Sequence, residues 1–104
     1  MTTVPPQIVA NGAIFAEWLG VQRLAGRVLA LLYERNGELV SHVELYSTLG
    51  ATGGSLCVAL SQLRASDMPA NWYVNHRGKG YRLTEAGAAE CRAALADHAR
   101  RLAA

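Results

Sequence analysis

With 104 residues, 51% hydrophobic and 17% charged, the chain is long enough to bury one core and short for two domains. Its aliphatic and alanine content excludes wholesale disorder, no apolar run reaches the roughly 18 residues of a transmembrane helix, and two isolated cysteines, Cys57 and Cys91, exclude a disulfide scaffold. The formal net charge of +2 is unevenly spread: residues 1–51 sum to −1, residues 84–104 to zero, and residues 52–83 carry Arg64, Arg77, Lys79 and Arg82 against Asp67 alone, for +3.

In chain order, residues 1–10 contain Pro5 and Pro6 and are expected to form a flexible or extended arm. The first seven residues hold no Lys or Arg and so lack the basic front of a signal peptide, which points to a cytoplasmic protein. A single domain is expected over residues 11–104. A short helix is predicted to start at Asn11-Gly12 and carry Ile14, Phe15, Trp18 and Leu19 on one face; Gly20 interrupts it. A second helix over about 22–35 spaces Leu24, Val28, Leu31 and Leu32 helically and stops at Asn36-Gly37.

Glu38-Leu39-Val40 reads as a short β-favouring link. Ser41 and Glu44 then fit a capping box, opening a helix that runs through Val43, Leu45, Tyr46 and Leu49 to Gly50. The turn over 51–54 leads into a further helix at 55–66, whose Leu56, Leu60 and Leu63 would be buried and whose opposite face would carry Ser55, Val58, Ala59 and Gln62. Two strand-like runs, 71–75 and 80–83, flank His76-Arg77-Gly78-Lys79 and predict a β-hairpin with a basic tip. Thr84 can cap a last helix over 85–102, with an apolar stripe of Ala88, Cys91, Leu95 and Leu102.

This order of elements is that of a winged helix-turn-helix: α+β, mostly α, a three-helix core and a hairpin wing with extra N- and C-terminal helices. A major groove about 12 Å wide admits one helix, and cations on a neighbouring hairpin then fall near the sugar-phosphate backbone or minor groove.

Four stretches also carry a family resemblance: L-A-L-L at 29–32, N-G-E-L-V-S-H-V-E-L at 36–45, L-S-Q-L-R at 60–64 and N-H-R-G-K-G-Y-R-L at 75–83. Over residues 21–83 the chain resembles the DNA-binding effector domain of OmpR/PhoB-type response regulators, whose wing reads R-G-x-G-Y-R-L after a helix ending in L-R. The resemblance implies that Ser55, Val58, Ala59 and Gln62 face the groove, with Gly54 and Arg64 beside them and Asn75 and Arg77 on the wing. Family members place larger polar groups where this chain has Gly54, Ala59 and Gln62. With only about 20 residues before residue 21, neither a receiver domain nor the family's N-terminal four-stranded sheet is expected. The ending L-T-E-A-G at 83–87, entering a long helix, looks more like MarR-type and other stand-alone winged-helix regulators.

The expected function is therefore a DNA-binding transcriptional regulator, with helix 55–66 in the major groove and Arg64, Arg77, Lys79 and Arg82 on phosphates. The partner is double-stranded DNA, and a homodimer through the terminal helices would set two such helices about one DNA turn apart. A protein-interaction module with little DNA binding is the alternative, because the helix 55–66 has a weakly charged face. No catalytic constellation is expected: T-G-G-S at 52–55 and R-G-K-G at 77–80 do not complete a phosphate loop, and no nucleophile elbow is present. His42, His76 and His98, 34 and 22 residues apart, lack metal-ligand spacing, so neither metal nor cofactor is expected.

Overall fold

The computed structural model describes residues 3–104, and residues 1 and 2 of the expected arm lie outside them. The architecture is α+β and mostly helical: α1 (Pro6–Leu19), α2 (Arg23–Glu34), β1 (Val40–Ser41), α3 (His42–Leu49), α4 (Gly53–Ala65), β2 (Tyr73–His76), β3 (Gly80–Leu83) and α5 (Glu85–Ala103). The strands form an antiparallel sheet in the order β1-β3-β2. No helix among the described residues is long and apolar enough to cross a membrane.

The arm expectation is corrected from residue 6 onward. Pro6 occupies the first helical turn, where a missing N–H costs nothing, and the Pro5 carbonyl accepts from the amides of Ile8 and Val9 at 3.0 and 3.1 Å. Ile8 is buried, and that burial holds the added turn in place. Asn11-Gly12 is thus the interior of α1, not its start. Glycine is tolerated there because α1 and α2 cross closely: a methyl on Gly26 would strike the Gly12 carbonyl oxygen, and one on Gly12 would strike the Arg27 stem.

Helix α2 runs through the centre, burying Val28, Leu29, Leu31 and Leu32. Asn36 and Gly37 end it with φ of 53° and 88°. Of the expected link, only Val40 is in a strand, paired with Tyr81. The Ser41 hydroxyl accepts the Glu44 amide at 3.1 Å, and the Glu44 carboxylate is held mainly by Arg35 rather than acting chiefly as the second half of a capping box. That ion pair ties the end of α2 to the start of α3.

Helix α4 begins two residues earlier than the sequence predicts. Thr52 and Ser55 form a reciprocal capping box, each side chain bonding the other's backbone N–H at 3.2 and 3.0 Å. The hairpin register pairs Tyr73 with Leu83 and His76 with Gly80. Side chains on Gly80 are excluded because β1 lies against it; a Cβ would meet the Val40 carbonyl. Thr84 caps α5 by accepting the Gly87 amide at 3.1 Å while its hydroxyl donates to the Asn71 carbonyl at 2.6 Å.

Trp72, Phe15, Leu63, Leu83 and Cys91 belong to one core with the leucines of α2 to α4. The terminal apolar residues therefore divide. Phe15, Ala88 and Cys91 are consumed inside the chain, Leu95 is half-buried, and Trp18 and Leu102 remain exposed.

Candidate nucleic-acid interface

The leucines of α4 fix its orientation. With Leu56, Leu60 and Leu63 buried, steps of 100° put Gly54, Val58, Ser61 and Ala65 on the far side, and these four are exposed. Cys57 borders the same strip and is exposed. Val58, about half exposed, is the largest apolar group on it.

Two expected groove-facing residues are corrected. Ala59 is 3% exposed because it sits 60° from the leucine row, on the buried side. Gln62 is half-buried, and its Oε1 accepts the backbone N–H of Gln22 at 3.0 Å, so the carboxamide closes on the start of α2 rather than pointing away from the domain. Ser55 is exposed, but its hydroxyl is taken by the cap with Thr52. Ser61 is absent from the set expected from the sequence; counting outward from the leucines would have found it.

Aromatic rings link the end of α4 to the hairpin. Arg64 Nε donates to the Tyr73 hydroxyl at 2.8 Å and its guanidinium stands 5.8 Å from that ring's centroid. Tyr73 lies 5.9 Å from Tyr81, and Tyr81 meets the His42 ring edge-on at 5.4 Å. The His42 amide donates to the Lys79 carbonyl at 3.3 Å. The C-terminus of α4, the hairpin and the N-terminus of α3 are thus packed together, through a Tyr81 ring that is itself buried.

At the tip, the Lys79 amide closes the turn on the His76 carbonyl at 2.9 Å, and Arg77 and Lys79 are exposed. Asn75 is exposed on β2 opposite Tyr81. Arg82 departs from the expected set. Strand alternation puts it with Val74 and His76, on the sheet face opposite Tyr73 and Tyr81, and its Nε donates to His76 Nε2 at 3.1 Å.

Every ion pair among the described residues involves Arg35, Arg92, Arg100 or Arg101. The cations at 64, 77, 79 and 82 are therefore uncompensated by carboxylates, which leaves their field directed at solvent. No cluster of three or more His, Cys, Asp or Glu side chains able to hold a metal occurs among the described residues. Compared with known proteins, the chain matches no family model, no curated protein and no solved structure.

Proposed function

We propose that the chain is a DNA-binding regulator of winged helix-turn-helix type, with α4 entering the major groove and the β2–β3 hairpin lying along the flanking backbone. The observation that carries this reading is the joining of an exposed helix face to an uncompensated cationic hairpin tip through Arg64, Tyr73 and Tyr81. Between residues 54 and 64, α4 offers about 15 Å of helix, enough to cross a groove about 12 Å wide. Affinity comes from phosphates at Arg64, Arg77 and Lys79. The strip of Gly54, Val58 and Ser61 is small and lets the helix approach base edges closely, with Val58 suited to a thymine methyl. The reading assigns no catalytic role and no cofactor.

A protein-interaction role is the second reading. It is favoured by Val43, 72% exposed, together with Tyr46 and Val58 on adjoining helices. Fluorescence anisotropy with a labelled random-sequence duplex separates the two. The DNA reading requires a non-specific Kd of about 1–100 μM at physiological salt, tightening as salt falls. No binding at low salt would refute it and leave the apolar surface as the functional one.

A further inference from the structure

We propose that His76 is a proton-operated latch on Arg82: neutral His76 holds the guanidinium against the hairpin, and protonation turns the two side chains into an additional site for a nucleic-acid phosphate. The latch rests on the DNA-binding reading above and adds to it a dependence on pH. Arg82 is the one cation of residues 52–83 to which that reading gives no phosphate, and its bond to His76 is the reason.

That bond fixes a protonation state. Arg82 Nε carries a hydrogen throughout the physiological range and can only donate, so His76 Nε2, 3.1 Å away, accepts. An imidazole nitrogen accepts only while the ring is neutral, with its hydrogen on the other nitrogen, here Nδ1. A proton taken from solvent onto Nε2 sets two hydrogens and two positive charges against each other, and the bond is lost. Histidine makes this change between about pH 8 and 5. Both side chains are half-buried on the sheet face opposite Tyr73 and Tyr81, so solvent reaches the pair.

The surroundings leave the opened pair to an anion from outside. On that sheet face the neighbours are Val74, Gly80 and Ser41, none of which is charged. Arg77 and Lys79 occupy the tip, and His42, whose amide bonds the Lys79 carbonyl, turns its ring onto Tyr81. Arg64 of α4 is bonded to Tyr73. Glu38 and Glu44, before and within α3, are paired with Arg35, and Glu85 of α5 with Arg92. Among the described residues no carboxylate lies at ion-pair distance from His76 or Arg82. His76 directly precedes Arg77, already assigned to a phosphate, so a neighbouring phosphate can accept from the imidazolium and the guanidinium together.

The test has two arms. In the free full chain, ¹⁵N NMR follows the His76 ring and the Arg82 Nε–H from pH 8 to pH 5.5. The expected result is the Nδ1–H tautomer at pH 8, and an Arg82 signal that shifts and exchanges faster with water along the His76 titration curve. In His76→Gln, whose carboxamide oxygen accepts without titrating, the Arg82 signal should stay in place. An Arg82 signal indifferent to His76 overturns the latch whether or not DNA binds. The second arm is anisotropy with the labelled random-sequence duplex at both pH values. One added phosphate contact steepens the logarithmic salt slope by about 0.9 and tightens binding at 50 mM salt roughly tenfold at pH 5.5. His76→Gln should match the parent at pH 8 and lose that gain, Arg82→Ala should lose at least half of it, and His42→Gln should keep it. A parent with equal affinity at both pH values, or a gain that survives in His76→Gln, overturns the latch while binding at pH 8 leaves the DNA reading intact. Absence of binding at either pH and low salt overturns that reading and the phosphate site with it.

Discussion

Removing the two tip cations together, in Arg77→Ala/Lys79→Ala, should change how salt acts on DNA binding more than it changes the fold. Both side chains are exposed and free of ion pairs, and Arg64, held against Tyr73 by one bond from its Nε, keeps its two terminal nitrogens for a phosphate. With three phosphates neutralised per protomer, each contributing about 0.9, the logarithmic salt slope should be about −2.7; losing two leaves about −0.9. Between about 50 and 200 mM NaCl the parent then loses affinity about 40-fold and the variant three- to four-fold. Arg82→Ala should leave the slope near −2.7, because Arg82 projects from the other sheet face and bonds His76. Anisotropy titrations of a short duplex at four or so salt concentrations read these slopes directly. A parent slope near zero, or a double variant with the parent's slope, would refute the phosphate assignment. A loss of one contact in the Arg82 variant would refute the face assignment.

Gly26→Ala should lower stability by about 3 kcal/mol or more, since the new methyl meets the Gly12 carbonyl and the two backbones must part. Thermal denaturation should show this as a fall in Tm of roughly 12 °C or more, whereas Gly54→Ala, with open space around it, should hold or raise Tm. The Arg35 guanidinium holds the Glu44 carboxyl below the usual carboxylate range. Its contribution to stability is therefore complete above the unfolded value of about 4.3 and is lost as pH falls through the lower folded value. Urea midpoints measured from pH 6 down to pH 3 should drop more for the parent than for Glu44→Gln, and equal drops would deny the pair a role. Burial pushes the Cys91 thiol up to about 12, while Cys57 is exposed. A thiol reagent at neutral pH should label one cysteine in the native protein and two after denaturation; rapid labelling of both would contradict the packing of α5.

Features fixed by local chemistry were legible in the sequence. Thr84 as a cap, Asn36-Gly37 as a stop and the hairpin around Gly78 all follow from a few neighbouring residues. The misread features depend on distant ones. Pro5-Pro6 suits an extended arm and the first turn of a helix equally well, and the choice is made by Ile8 reaching the core. Gly12 looked like a beginning because glycine weakens a helix interior; its justification is Gly26, on another helix. In the candidate interface, the tip cations were visible as a charge excess. The turning of Ala59 inward needed only stricter helical geometry. The engagement of Gln62 by the Gln22 amide spans 40 residues and has no sequence signal.

The Thr84 hydroxyl donates to the carbonyl before the hairpin and accepts from the first turn of the helix after it. One oxygen atom therefore acts as a common rivet for the basic ribbon and the last helix. Loss of that hydroxyl would therefore free the end of the ribbon and the start of the helix in one step, and the angle between them would no longer be fixed at that joint.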